Sequence, residues 1–522
     1  MGMYLNPGNE LFGEALNSEI YVDKSMLIVH TNKVLRTQQK FVCVSRPRRF
    51  GKSMAAQMLA AYYDRGCDSS DQFRDLDIAQ HPSYEEHRNR YNVIQLNMSN
   101  FLTQANDMKG MLDLIEESVM YEIENEFSDL PMPPMRNLMT RMQSVFAKTK
   151  IPFVFVIDEW DCVFRELQED EEAQKKYLDY LRNLLKDQAY VALAYMTGIL
   201  PVKKYGIHSA LNMFTEVSMT DAREYAPFTG FTTEEVQELC DRYEMPFEEM
   251  RSWYDGYNVD GIETYNPRSV VMSVTGHRLS NYWTQTETFE ALRVYIEMDF
   301  DGLREKVIKM IAGERIEINT HKFQNDMKTL SSADDVLTLL IHLGYLTYDF
   351  ETKEVWIPNN EVQSEFINCI EDRGWEIIMR DIKASDDLMK AIEKEEEEKV
   401  AEAVEDAHDR YSSIFAYNDE NTLASVLVLA FYAARKKYIM HREYASGKGY
   451  ADLVFLPRPG KSDPAMVMEL KVRETAGTAI DQIKNRNYPM IPEEYTGEII
   501  LCGISYDPKS KEHSCRIERM QA

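Results

Sequence analysis

The stretch that most constrains the fold is a short apolar run, Phe41-Val42-Cys43-Val44, followed by Ser45-Arg46-Pro47-Arg48-Arg49-Phe50-Gly51-Lys52-Ser53 and a helical segment from Met54 to Tyr63. The run predicts a buried strand, and the loop ends in Gly-Lys-Ser just where a helix begins. That order makes a phosphate cradle. Loop N–H groups and the helix dipole face the anion, Lys52 reaches the β/γ-phosphates, and the Ser53 hydroxyl holds Mg²⁺. The general spacing G-x-x-x-x-G-K-[ST] asks for glycine at position 46, where this chain has Arg46. Taken alone, the loop also fits an ordinary strand-to-helix turn with a basic rim. In the phosphate reading, Gly51, Lys52 and Ser53 are nucleotide ligands. Arg46, Arg48 and Arg49 then replace the missing glycine with charge, through a forked contact to phosphate or to acids of a neighbouring domain.

A second stretch decides between the two readings. Phe153-Val154-Phe155-Val156-Ile157 is continuously apolar, as expected of a strand buried on both faces of a parallel sheet. It ends in Asp158-Glu159-Trp160-Asp161, at the strand end where α/β folds place ligands. Asp158 is the expected Mg²⁺ ligand and Glu159 the residue that polarises the attacking water, with Asp161 next in line. Together the two stretches predict an ATPase core. Further strands are expected at 91–98 and 190–196, and helices at 107–127, 136–148 and 171–188. Asp23 and Lys24 either touch nucleotide or cap a helix. Lys203 and Lys204 either neutralise phosphate charge or form a basic loop.

Composition narrows the class. With 522 residues, 44% hydrophobic and 28% charged, the chain has room for three or four domains of a soluble globular kind. Its seven cysteines are scattered without metal-ligand spacing, which predicts reduced thiols in a cytoplasmic protein. The N-terminal residues have no apolar signal core, and the longest apolar helix candidate, 423–434, is too short to cross a bilayer. A net charge of −28 works against casual binding to nucleic acid, so a DNA-acting protein of this balance must gather its Lys and Arg in a groove. Part of the acidic excess lies between Glu393 and Asp406 and predicts a solvated helix face or linker.

Near residue 410 the pattern starts afresh. Tyr450 to Leu456 and Ala465 to Val472 predict two strands separated by a Pro/Gly turn. Period two puts Glu469 and Lys471 on one face, and pairing of the strands brings Asp452 to it. Two carboxylates and a lysine so gathered suit divalent-metal phosphodiester hydrolysis. Asp452 and Glu469 hold Mg²⁺ or Mn²⁺, and Lys471 stabilises charge at the attacked phosphate. Glu420, near the start of the preceding helix, is a candidate additional ligand.

These motifs resemble those of bacterial AAA-ATPase-like proteins with a C-terminal PD-(D/E)XK nuclease-like domain. The resemblance runs through Arg46 to Ser53, Tyr21-Val22-Asp23-Lys24, Thr197-Gly198-Ile199-Leu200-Pro201-Val202, Trp253-Tyr254-Asp255-Gly256-Tyr257, Tyr265-Asn266-Pro267, Leu343-Gly344-Tyr345 and Glu469-Leu470-Lys471. In that family the first glycine of the loop is also missing, while Ala451 stands where the nuclease motif has proline. The resemblance implies a γ-phosphate-sensing role near Thr197, which by its residues alone is equally a turn position. It also matches Gln482, and more weakly Tyr488, to polar positions of the nuclease-like fold.

The expected class is α/β: a P-loop ATPase with a parallel sheet, a helical lid and a winged-helix-like module, followed by a PD-(D/E)XK nuclease-like domain. The expected boundaries are 1–227 for the ATPase core, 228–320 for the lid, 321–375 for the winged-helix-like module, 376–409 for an acidic helical linker and 410–522 for the last domain. The aromatic block at 253–283 is expected to form the lid core, and the winged-helix-like module to pack rather than bind DNA. ATP and Mg²⁺ are the expected cofactors, with Mn²⁺ as an option at the C-terminal site. Expected partners are DNA, no membrane and, as an open option, a second copy of the chain. The functional expectation is an ATPase that gates a metal-dependent nuclease acting on DNA. Its rival is a nucleotide-driven switch whose last domain binds nucleic acid or protein without cutting.

Overall fold

Phe41–Ser45 forms β1, every residue of it buried, as a strand covered on both faces requires. It joins β2 (Asn92–Asn97), β3 (Phe153–Asp158), β4 (Val191–Gly198) and β5 (Thr215–Val217) in a five-stranded sheet of order β2-β3-β4-β1-β5. All four pairings are parallel. The computed structural model describes residues 2–521 except 131–136, 203–210, 284–288, 299, 301, 312, 325–326, 328–329, 372–375, 412–426, 428–429, 432–433, 435–436, 447–448, 458–462, 486–496 and 511. Contacts gather into two units, Met1–Asp301 with Ile316–Ser364, and Gly302–Arg315 with Glu365–Ala522.

In the first unit, α1 (Glu10–Leu16), α2 (Leu27–Val34) and α3 (Lys52–Tyr63) help to cover the sheet. The last helix begins two residues earlier than the sequence predicts, so Lys52 and Ser53 make its first turn. Ala55, Ala56, Ala60 and Ala61 are all buried, and their small side chains let α3 lie close to its neighbours. Tyr62 and Tyr63 close its end, with hydroxyls bonded to Tyr84 O (2.8 Å) and Asn32 Oδ1 (2.8 Å).

The segment after the sheet has its own small antiparallel sheet: β6 (Phe231–Thr232), β7 (Tyr257–Val259) and β8 (Ile262–Tyr265), in the order β6-β8-β7. Thr232 and Glu235 form a capping box at the start of the helix Thr233–Arg242. Tyr254 and Tyr265 sit in the local core and Trp253 packs against it, so these aromatics do fill the lid. The winged-helix-like module holds the helix Ala333–Leu343 and a three-stranded sheet: β9 (Ile316–Glu317), β10 (Thr347–Tyr348) and β11 (Glu354–Trp356). Glu361 is buried and accepts hydrogen bonds from Ser269 Oγ, Tyr282 N and Trp283 N.

The second unit is built on a sheet of order β12-β13-β14-β15-β16: Tyr438–Ser446, Gly449–Pro457, Ala465–Val472, Glu498–Asp507 and Glu512–Gln521. Only β14 and β15 are parallel. The units divide the chain differently from the sequence boundaries. Residues 302–315, expected in the lid, cluster with the second unit. The stretch expected as a linker forms the helices Glu376–Glu393 and Glu397–Tyr411, and the second packs on β16. Its buried stripe is Val400, Val404 and Ala407, at helical spacing.

Two contacts bring the rest of the first unit onto the phosphate loop. Phe50 is fully buried, lies edge-on to Tyr257 at 5.2 Å and bonds Gly230 N–H through its carbonyl at 3.0 Å. Gly344 caps the helix Ala333–Leu343 at φ 87°, and its carbonyl accepts from Tyr257 Oη at 2.8 Å. A Cβ added there would stand 2.7 Å from Pro47 Cβ and 2.9 Å from Trp283 Cη2. Gly344→Ala is therefore expected to cost about 1–2 kcal/mol for the left-handed backbone alone, plus the contact with Pro47. A thermal melt should show a midpoint several degrees lower; an unchanged midpoint contradicts this packing.

Candidate functional site

The strand order builds the site. Because β4 lies between β1 and β3, three strand ends meet side by side, with Val44 opposite Thr197 and Ile157 opposite Met196. Asp158, one residue beyond Ile157, accepts a hydrogen bond from Thr197 Oγ1 on Oδ1 and from Ser53 Oγ on Oδ2, the latter at 2.6 Å. The carboxylate is therefore bonded from both neighbouring elements, and Asp158 is 6% exposed.

Gly51 caps the start of α3 at φ 82°, a backbone that favours glycine, and a Cβ there would meet nothing within 4 Å. The space next to Gly51 is thus open. Lys52 is buried, and its Nζ donates to Arg46 O at 3.0 Å and Pro47 O at 2.9 Å, which holds the ammonium over the loop. Burial pushes its pKa down, against the pull of Glu159, Asp161 and Asp158.

A cavity of about 500 Å³ opens beside these residues. Arg48, Arg49, Gly51, Lys52, Ser53 and Glu159 line its polar part. Ile20, Val22, Met58, Phe228, Phe231 and Val271 give it an apolar wall suited to a flat base. The hydroxyl of Ser53 and the carboxylate of Asp158 are hard oxygen donors that fit Mg²⁺, and the glycine cradle and Lys52 fit phosphate.

The other acids of the strand end have different surroundings. Glu159 lines the cavity, at φ 53°, and pairs with Arg165 Nη2. Burial raises its pKa, while Arg165 and Lys52 pull it back. Asp161 is fully buried and takes the N–H groups of Ile199 (3.0 Å) and Leu200 (2.8 Å), with Arg165 Nε at 3.3 Å. It anchors the chain leaving β4 and stands off the cavity, which sets it apart from Glu159 as a water-activating candidate.

Arg46 is also placed apart from Arg48 and Arg49. It is 0% exposed, its Nη1 donates to Ser45 O at 2.9 Å and Val217 O at 3.3 Å, and it does not line the cavity. Its Nε and Nη2 have no partner among the described residues. Burial lowers its pKa to about 10, opposed by Tyr195 and Asp260. The glycine-to-arginine departure therefore ties β1 to β5 and does not point at the loop interior. Asp23 accepts from Ser25 N and Asp77 N, each at 2.7 Å, and Lys24 Nζ pairs with Glu235 at 2.6 Å while also lining the cavity. Lys203, Lys204, Glu420 and Tyr488 lie outside the described residues.

Two residues near the site, one behind Glu159 and one lining the cavity, carry no clear signal in the sequence. Arg165 follows Asp161 at i+4 in the helix Cys162–Glu166, a spacing that is visible in the sequence but common on helices. Arg268 lines the cavity from the lid helix Pro267–Gly276, whose start is fixed by Asn266 bonding Arg268 N and Ser269 N. The Asn-Pro pair signals that helix start, yet not what the next side chain faces.

In the second unit the last ladder pair of β13 and β14 is Leu453↔Met468, so one step further sets Asp452 opposite Glu469. There Asp452 Oδ2 accepts from Leu470 N at 2.7 Å. Glu469 is 2% exposed, and its Oε1 accepts from Lys471 Nζ at 3.3 Å and from Gln482 Nε2 of the helix Ala476–Asn485. Lys471 also donates to Leu470 O at 2.9 Å. The structure thus gathers Asp452, Glu469, Lys471 and Gln482. Among the described residues no group of three or more His, Cys, Asp or Glu is placed to hold a metal ion. Asp452 and Glu469 are oxygen donors of the kind Mg²⁺ or Mn²⁺ takes.

A parallel-sheet P-loop domain and a mixed-sheet domain with a D…ExK face define the class as a P-loop ATPase-like protein with a nuclease-like domain. Residues 14–208 match the family described as predicted AAA-ATPase, and residues 418–514 match the PD-(D/E)XK nuclease superfamily. The two matches lie in one chain in the order of the resemblance read from the sequence, a predicted AAA-ATPase region followed by a PD-(D/E)XK nuclease-superfamily region. It is similar to an uncharacterized protein in the vnfD 5' region of Azotobacter chroococcum mcd 1, 27% identical over 285 residues, 51% of this chain and 51% of that protein. The chain spans about half the length of this curated relative. Solved structures similar to it include the Walker-type ATPase paby2304 of Pyrococcus abyssi (TM-score 0.33, 11% identity, 66% of this chain and 94% of that one). Another is the ORC2 protein of Aeropyrum pernix (TM-score 0.29, 11% identity, 68% of this chain and 97% of that one). Among the described residues no helix is long and apolar enough to cross a membrane.

The three loop arginines should separate in one titration. Arg48→Met and Arg49→Met are expected to weaken ATP binding by about tenfold or more each, the loss of one charge-assisted contact of roughly 1.5–3 kcal/mol. Arg46→Met should leave the affinity within about threefold, because the side chain is buried under the sheet end. Calorimetry with all three variants checks this; a loss at Arg46 alone contradicts the placement.

Proposed function

We propose that the first unit binds and hydrolyses ATP, and that this gates a divalent-metal-dependent nuclease site at Asp452, Glu469 and Lys471, acting on DNA. The observation that carries the ATPase half is the bonding of Asp158 by both Ser53 and Thr197 at three adjacent strand ends. It supports the following assignment. Lys52 binds the β/γ-phosphates, Ser53 and Asp158 are placed to hold Mg²⁺, and Thr197 senses the far end of the phosphate chain. Bound there, Mg²⁺ supplies charge neutralisation and alignment of the phosphate oxygens. Arg48 and Arg49 add charge from the loop side, and Arg268 from the lid. Glu159 accepts a proton from, or orients, the attacking water once its carboxylate turns from Arg165.

In the second unit, Asp452 and Glu469 are the proposed metal ligands, with Glu420 as a third candidate. Lys471 is proposed to stabilise negative charge on the scissile phosphate, and Gln482 to orient Glu469. One observation favours the rival reading, a switch that binds without cutting. Glu469 already accepts from both Lys471 and Gln482, as a structural carboxylate would.

Two assays on the full chain test these halves separately. Glu159→Gln should keep ATP bound and slow turnover about 100-fold or more, the usual contribution of a general base; a wild-type rate moves the role elsewhere. Mn²⁺ titration should show a C-terminal site that Asp452→Ala removes and Lys471→Ala keeps, with plasmid cleavage lost in both. Equal weak Mn²⁺ binding by wild type and Asp452→Ala leaves the non-cleaving switch.

A further inference from the structure

Strands β15 and β16 are antiparallel, with Cys502 opposite Ile517 and Ile504 opposite Cys515. The two cysteines are diagonal neighbours on one face. Sheet diagonals ordinarily stand about 7–8 Å apart, too far for a disulfide. Here the sulfurs are 3.7 Å apart, so the two side chains lean towards each other across the hairpin. Cys502 is buried and Cys515 half-buried. The same face carries Tyr506 and His513, stacked on each other, with His408 of the helix Glu397–Tyr411 edge-on to both. Glu397 of that helix bonds Ile517 N–H at 2.9 Å.

We propose that Cys502 and Cys515 are an oxidisable thiol pair, closed to a cross-strand disulfide by exchange with a low-molecular-weight disulfide such as oxidised glutathione. Cys515, reached from solvent, loses its proton and attacks one sulfur of the reagent. The reagent's S–S bond breaks, and the first thiolate leaves and takes up a proton. Cys502 then loses its proton and attacks the Cys515 sulfur of the mixed disulfide, which expels the second thiolate. Two protein thiols are oxidised and one disulfide is reduced to two thiols. The order of attack follows from exposure. It agrees with the Cys502 thiol being pushed well up by its contact with Cys515 and by burial, which makes it the poorer first nucleophile.

Strand β16 can accommodate the closure. It is an edge strand, paired within the sheet only with β15, and a shift of this strand, which Glu397 also holds at Ile517 N–H, would bring the sulfurs from 3.7 Å to bonding distance. A bond closed against the sheet's own spacing is readily reduced again, which makes the pair reversible. The staple falls beside β14, where Met468 pairs with Cys502 and Glu469 with Gly503. It fixes the hairpin next to the strand that presents Glu469 and Lys471. The proposal itself does not depend on that site being catalytic.

The test is incubation of the folded full chain with excess oxidised glutathione, alkylation, digestion and peptide mass mapping. Wild type is expected to yield a Cys502–Cys515 linked peptide, and thiol titration in denaturant should fall from seven to five and return with dithiothreitol. Cys502→Ser should stop at a glutathione adduct on Cys515, and Cys515→Ser should give no adduct at Cys502. Wild-type chain that keeps both thiols, or that takes up glutathione at Cys67 without forming the link, overturns the proposal. Because the link is read in the wild-type chain, the result stands even if a variant fails to fold.

Discussion

The hydrogen bond from Ser53 Oγ to Asp158 Oδ2, 2.6 Å long, joins the first turn of α3 to the tip of β3, two elements more than a hundred residues apart in the sequence. It exists because β4 separates β1 from β3, leaving a gap of one strand that Thr197 fills with a second bond to the same carboxylate. A buried carboxylate bonded on both oxygens is held in one orientation; stripped of one donor it would bear a desolvation penalty of about 1–3 kcal/mol or more. The loop, the helix start and both neighbouring strand ends therefore depend on one another. Placing Lys52 over the loop and Glu159 at the cavity edge follows from that arrangement.

A second layer of contacts keeps the loop in shape. Arg46 ties β1 to β5 from beneath, Phe50 packs on Tyr257, and Pro47 abuts Gly344. Arg165 bridges Glu159 and Asp161, and Asp161 in turn holds the backbone that leaves β4. The acid at the cavity and the strand that carries Thr197 are thus connected through one half-buried arginine. Lys24 and Glu235 link the N-terminal segment to the start of the first lid helix in the same way.

Strands and their chemistry were largely legible in the sequence. Phe41 to Val44 and Phe153 to Ile157 are continuous apolar runs with acids or Gly-Lys-Ser at their ends, and both became buried parallel strands. Period two aligned Glu469 with Lys471, and the β13–β14 pairing brought Asp452 to them. What was not legible depends on tertiary placement. Arg46 looks the same in the sequence as Arg48 and Arg49, yet only the fold buries it. The acidic run hid the stripe of Val400, Val404 and Ala407 because charge dominated the composition of a helix with one packed face. Cys502 and Cys515 are thirteen positions apart in the sequence, and only the hairpin register puts their sulfurs together.

The account turns on Ser53 and Asp158 forming a metal–nucleotide site, and the metal dependence of ATP binding tests that most directly. Calorimetry of the full chain with ATP, in Mg²⁺ and again in excess EDTA, should show wild-type affinity falling by about tenfold or more on chelation, of the order of one charge-assisted contact. Asp158→Asn should bind ATP weakly under both conditions, with little difference between them. Equal affinity of the wild-type chain with and without Mg²⁺, or an Asp158→Asn variant that keeps the full metal dependence, would contradict it.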